Sequence, residues 1–167
     1  MSPRVLIAGV GNLLRRDDGF GVVVARRLAD ADNLPSGVEV IETGIGGLSI
    51  VQQLMGGYDA LILVDAVDQE AEPGRVFLLD PIVPDPQAMA PDAWREQFSN
   101  LHLAEPSRVL LLARALKVLP PRVVIVGCQP MDCEEVGEGL TPPVEAAVEV
   151  AVSAIRELVE SLVGSAV

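Results

Sequence analysis

Residues Val5 to Gly21 read VLIAGVGNLLRRDDGFG. Four apolar residues, Val5-Leu6-Ile7-Ala8, run up to Gly9 and Gly11, the pattern of a buried strand that ends in a turn. A strand is therefore predicted over Arg4 to Gly9. A helical spacing follows at Val22, Val23, Ala25 and Leu28, which predicts a helix over Asp18 to Ala29. Strand, glycine-bearing turn and helix open an α/β unit. In open α/β sheets, ligands bind outside the carboxyl ends of the strands. The two acids at this turn, Asp17 and Asp18, lie at that edge.

Acids at a helix entry cap free N–H groups and suit the positive end of the dipole. That is the reading for Asp17. Asp18 has a second one, a carboxylate facing the cleft at the strand's end. The glycines do not make a dinucleotide fingerprint. The third glycine would fall at Leu14, and the turn carries acids where a pyrophosphate would sit. Nucleotide binding is the weaker reading of this stretch.

The same alternation continues along the chain. Asn33-Leu34-Pro35-Ser36-Gly37 is a turn, Val38 to Glu42 a strand, Thr43-Gly44-Ile45-Gly46-Gly47 a loop, and Leu48 to Met55 a short helix. Ala60 to Val67, ALILVDAV, is apolar on both faces, as a central strand covered by helices should be. Asp65 interrupts it. A carboxylate there sits at the strand's end holding a loop amide, is paired, or works chemically. Gly74 to Leu79 is a strand too close behind for a helical crossover, and so antiparallel to the third. Asp80 to Leu101 is a long loop with a short helix around Asp92 to Phe98. Its Trp94 and Phe98 pin the loop to the core or meet a partner. Glu105 to Lys117 is a helix with Pro106 in its first turn, and Val123 to Val126 is the fifth strand. After an acidic loop over Cys128 to Gly139, Thr141 as cap and Pro142 start a last helix, apolar from Val144 to Leu162. The expected fold is one domain over residues 1–167, a three-layer α/β/α arrangement on a mixed, mostly parallel five-stranded sheet.

Composition narrows the function. The chain has 167 residues, half of them hydrophobic but only 3% aromatic, so its core is aliphatic. A net charge of −12 argues against nucleic acid and anionic membranes and suits solubility or a basic protein partner. No stretch reaches the roughly 18–20 apolar residues of a membrane span. The N-terminus lacks a small-residue cleavage site and runs straight into the first strand, so no signal peptide is read and a cytoplasmic location is expected. Cys128 and Cys133 are too few for a disulfide framework and lack the partners of a soft-metal site. Free thiols are expected.

Three candidates for chemistry fall where strands end: Asp18, Asp65 and His102, the last being the one histidine of the chain. A lone histidine is most often a surface or satisfied residue. Together, two carboxylates and an imidazole make an O,O,N set that suits a borderline divalent ion with positions left open. The same set serves equally as a carboxylate pair with an assisting histidine.

The residues GVGNLLRRDDGFGV at Gly9 to Val22, LILVDAV at Leu61 to Val67, His102 ahead of a helix, and VGCQP with GLTPPVEAAV between Val126 and Val148 carry a resemblance. The chain resembles the hydrogenase maturation endopeptidases, which trim the C-terminal extension from the large subunit of nickel-iron hydrogenases. The resemblance implies that Asp18 is the first metal-contacting acid, Asp65 the second and His102 the third ligand, these three also being the catalytic set. The ion they meet is the nickel already installed in the precursor, a recognition token rather than a cofactor of the protease itself. The partner is the large-subunit precursor, and the protease is expected to act as a monomer. At Glu42-Thr43-Gly44-Ile45-Gly46 the chain departs from the family's Asp-Gly-Gly-Thr-like turn. No HExxH occurs. Whether the ion polarises the scissile carbonyl, or activates water, or a free carboxylate acts as base stays open. A non-catalytic maturation chaperone using the same ligands is the alternative.

Overall fold

The computed structural model of the chain describes residues 2–44, 47–98 and 106–164. In chain order the elements are β1 (Val5–Val10), α1 (Phe20–Asp30), β2 (Val38–Thr43), α2 (Leu48–Leu54), β3 (Ala60–Ala66), β4 (Val76–Leu79), α3 (Pro91–Phe98), α4 (Pro106–Ala115), β5 (Arg122–Cys128) and α5 (Pro142–Gly164). The strands form one sheet in the order β2-β1-β3-β5-β4. β1 pairs in parallel with β2 and β3, and β3 with β5, while β4 runs antiparallel to β5. The mixed, mostly parallel five-stranded sheet expected from the sequence is the sheet observed.

Alternation along the buried strands divides the core into two layers. Val5 and Ile7 of β1, with Ile62 and Val64 of β3, pack with Phe20, Val24 and Leu28 of α1 and with Val148 and Ile155 of α5. Leu6, Ala8 and Val10, with Leu61 and Leu63, pack with Ile50 and Leu54 of α2 and Leu110 of α4. Each large aliphatic side chain removed from water contributes roughly 1.5–3 kcal/mol, so these two layers supply the main drive to fold. Both faces of β1 and β3 are covered, which is why their sequences read as continuous apolar runs.

The close fit of α1 on the sheet depends on two glycines of the opening stretch. A Cβ added at Gly9 would lie 2.6 Å from the Cβ of Ala25 and collide with the carbonyl of Gly21. One added at Gly21 would lie 2.8 Å from the amide nitrogen of Val10 and overlap the carbonyl oxygens of Val10 and Val64. Helix backbone therefore rests directly on strand backbone. Gly9, the first glycine of the apparent phosphate-binding turn, thus serves helix–strand packing.

Two boundaries differ from expectation. The first helix does not begin at Asp18. Residues Arg16–Gly19 form a 3-10 turn, and α1 starts at Phe20. β4 runs opposite to β3 as expected, but its neighbour is β5. β3 is already bonded on both sides, by β1 and β5, so β4 closes the edge beyond β5. The connection that carries the chain there, residues 67–75, is fastened by the buried Gln129. Its Oε1 accepts from the backbone N–H of Gln69 (2.7 Å) and Ala71 (3.2 Å), and its Nε2 donates to Asp68 Oδ1 (2.9 Å).

In the long loop, α3 forms at the expected place, and Trp94 donates its indole N–H to the carbonyl of Pro86 at 3.0 Å. Among the described residues, no helix is long and apolar enough to cross a membrane.

Candidate active site

The carboxyl ends of β1, β2, β3 and β5 lie along one edge of the sheet, because these four strands are parallel. Asp65 is the penultimate residue of β3, in register with Gly127 of β5. Only 7% of it is exposed. Asp18 arrives at the same edge on the 3-10 turn that follows β1. Its Oδ2 accepts from the backbone N–H of Asn12 at 3.2 Å, and its carbonyl accepts from the same N–H at 3.2 Å. Gly11 permits that closure. It has φ of +147°, and a Cβ there would run into the Asp18 carbonyl.

The charge of Asp18 reaches Asp65. Burial pushes the carboxyl of Asp65 well above the usual carboxylate range, and the negative charge of Asp18 pushes it further. The backbone N–H of Ala66 offsets this in part. Asp18 is also raised, mainly by burial, with the Asn12 N–H and the charge of Arg15 acting the other way. Two half-buried to buried acids, one feeling the charge of the other, form a site short of positive charge.

A cleft of about 500 Å³ opens beside them, lined by Asp18, Ala66, Asp68, Gln129, Asp132 and Cys133 among others. One wall is the 67–75 connection, held by Gln129. The other is the acidic loop after β5. The thiol of Cys133 is pushed up to about 12 by burial first, then by the charges of Asp18, Asp17, Asp65 and Asp132. Cys128 is pushed up to about 11 by burial and Asp17. Both are free thiols, as the sequence leads one to expect. Exposed apolar side chains stand on the two segments that flank the cleft, Leu14 (57% exposed) on the turn after β1 and Met131 (63%) and Val136 (78%) on the acidic loop.

Asp17 does not cap a helix. It is fully buried and turned away from Asp18 into the acidic loop. Its Oδ2 accepts from the N–H of Met131 (2.8 Å) and Asp132 (3.0 Å). Its Oδ1 accepts from the N–H of Thr141 at 2.7 Å, and the Thr141 hydroxyl lies 3.0 Å from Oδ1 and 2.8 Å from Oδ2. The hydroxyl expected to cap α5 is thus engaged with Asp17, while the Thr141 carbonyl accepts the N–H of Glu145 at the start of that helix. No sequence signal separates the two adjacent acids. The donors that single out Asp17 lie more than a hundred positions downstream.

The structure brings Asp18 and Asp65 together at one edge. His102, the third expected ligand, lies outside the described residues. α4 begins at Pro106, four positions later, and leads into the parallel strand β5. Its first turn therefore faces the edge that carries the two acids. Among the described residues, no group of three or more His, Cys, Asp or Glu is placed to hold a metal ion.

Against known proteins, a family model described as hydrogenase maturation protease matches residues 22–158. The chain belongs to the hydrogenase maturation protease family. The protease is 35% identical over 159 residues to the hydrogenase expression/formation protein HupD of Rhizobium leguminosarum bv. viciae, covering 93% of this chain and 75% of the relative. To HupD of Rhodobacter capsulatus it is 34% identical over 157 residues, covering 93% and 71%. Among solved structures, it is similar to the hydrogenase maturating endopeptidase HybD of E. coli, with a TM-score of 0.73, 27% identity and coverage of 95% and 93%. It is also similar to a hydrogenase 2 maturation peptidase of a Thaumarchaeota archaeon, with a TM-score of 0.65, 31% identity and coverage of 93% and 97%. The protease is a hydrolase of peptide bonds, and the sheet edge with Asp18 and Asp65 is its candidate active site.

Proposed function

We propose that the protease removes a C-terminal extension from the large-subunit precursor of a nickel-iron hydrogenase once nickel is in place. Asp18 and Asp65, joined by His102, engage the ion carried by the precursor. The protease needs no metal of its own and acts as a monomer in the cytoplasm.

The observation that carries this reading is the placing of two carboxylates at one sheet edge beside a cleft, the buried Asp65 within reach of the Asp18 charge. A cation delivered by the substrate relieves that repulsion and draws both acids to their charged, ligating form. An incomplete precursor brings no such charge, so the site stays poorly organised for it. The exposed apolar side chains of Leu14, Met131 and Val136 suit a folded protein substrate rather than a small molecule. Hydrolysis then requires water at the scissile carbonyl, activated by the ion or by a free carboxylate.

Mass spectrometry of the precursor, incubated with the protease in the presence and absence of nickel, tests this. Shortening that requires nickel is the expected result. Asp18→Asn and Asp65→Asn are expected to leave the precursor at full length while keeping the fold. Shortening without nickel, or normal processing by both variants, would sink the reading. Binding with unchanged precursor length would point to a chaperone.

A further inference from the structure

We propose that Asp17 is a positioning residue of the protease: its buried carboxylate holds the acidic loop 131–141 against the turn that carries Asp18, and so sets the shape of the cleft. The proposal rests on the functional reading above only for its activity arm.

Asp17 is fully buried. Among the described residues it makes no ion pair. Its charge is met by three backbone N–H groups and one hydroxyl, from Met131, Asp132 and Thr141. The contact is reciprocal, since the Asp17 N–H donates to the carbonyl of Asp132 at 3.0 Å. The next residue upstream repeats the pattern. The Arg16 N–H donates to the Gly137 carbonyl at 3.0 Å, and its guanidinium donates to the Glu138 carbonyl at 3.0 Å. Gly137 in turn donates its N–H to the carbonyl of Leu14 at 2.9 Å.

The residues held this way line the cleft. Met131, Asp132, Cys133 and Glu134 form its wall opposite Asp68 and Gln129, and Asp18 lines it one peptide bond away from Asp17. Any slack at Asp17 therefore appears as slack between Asp18 and that wall. A carboxylate is required because every partner is a donor. An asparagine in either flip would point its amide NH2 at N–H groups of the loop, leaving buried donors unmet. The same consideration explains why two adjacent acids are present. One is structural and faces donors. The other lines the cleft and, among the described residues, its carboxylate accepts from the Asn12 N–H alone.

The test compares wild type with Asp17→Asn, Thr141→Val and Thr141→Ser. Hydrogen exchange is read at Met131 and Asp132, with Leu61 to Val64 of β3 as the internal reference. Processing of nickel-loaded precursor gives kcat and KM. We expect Asp17→Asn to speed exchange at Met131 and Asp132 at least tenfold, with β3 within twofold, and to lower kcat at least tenfold. Thr141→Val is expected to follow in the same direction, and Thr141→Ser, which keeps the hydroxyl, to stay near wild type on both readouts. Unchanged exchange at Met131 and Asp132, or faster exchange with kcat within twofold of wild type, overturns the proposal. If Asp17→Asn loses β3 protection as well, the Thr141 pair decides by the same criteria. If wild type itself leaves the precursor uncut, the functional reading fails. The exchange pattern, with the affinity of each variant for the precursor in place of kcat, then still decides the role of Asp17.

Discussion

Asp18 raises the proton affinity of Asp65, a residue already raised by burial at the end of β3. Burial and the neighbouring charge together set an electrostatic cost on ionising Asp65 in the folded state. In the function proposed above, a cation carried by the precursor offsets that cost.

That cost is measurable without substrate. In the unfolded chain Asp65 titrates near the ordinary value of about 3.9, and in the folded protein well above it. Between the two, the folded state keeps a proton that the unfolded state releases, so stability falls as pH rises through this window. Above the folded value the loss is constant. Asp65→Asn removes it. The variant is expected to melt several degrees higher than wild type at pH 8, with the gap closing towards pH 4, while losing precursor processing. Thermal melts across pH check the sign. A lower melting temperature for Asp65→Asn at pH 8 contradicts it.

Cys133 reports on the same field. A thiol moved from an ordinary 9.0 up to about 12 carries roughly a thousandth of the usual thiolate. Alkylation of Cys133 by iodoacetamide at pH 8 is expected to be at least 10²-fold slower than for a free cysteine, by that thiolate fraction. Asp18→Asn removes the largest of the charges acting on it and should speed the reaction. Mass mapping of the labelled site gives both rates.

The contact of α1 with the sheet predicts a sharp intolerance. Gly21→Ala places a methyl group against the backbone of Val10 and Val64, where no flexible side chain can yield. A cost of about 3 kcal/mol or more is expected, at the upper end for overpacking. Urea denaturation measures it. A loss below about 1 kcal/mol would mean that α1 shifts to make room, contrary to the packing described.

The acidic balance of the chain predicts that charge contributes to the encounter with the precursor. The protease carries a net charge of −12, and acids Asp68, Asp132 and Glu134 line the cleft. Raising sodium chloride from about 0.05 to 0.5 M shortens the Debye length to a few ångströms. The KM for the precursor is expected to rise at least threefold over this range, with kcat little changed. A salt-independent KM would place docking on exposed apolar side chains alone.

Much of this molecule is legible one residue at a time. The apolar runs Val5 to Ala8 and Ala60 to Val64 declare buried parallel strands, because a strand covered on both faces needs no polar alternation. Pro106 and Pro142 mark helix starts, because proline costs nothing where no N–H is needed. Asp65 stands out because a carboxylate inside such a run is costly. These are properties of neighbours in the chain, and the sequence by itself determined them: the alternation of elements, the mixed sheet, and two acids at strand ends. What it did not contain was the difference between Asp17 and Asp18. Both are acids at one turn, and nothing local tells them apart. Nor did it show that β4 would lie beside β5, or that Gly9 and Gly21 serve packing. Each of those was decided when distant segments met. The donors of residues 131–141 select Asp17 for burial, the strand already paired on both sides sends β4 to the edge, and the backbone of α1 lies where a side chain would have stood. Hydrogen-bond satisfaction and close packing are relations between atoms far apart in the chain, so only the tertiary structure settles them.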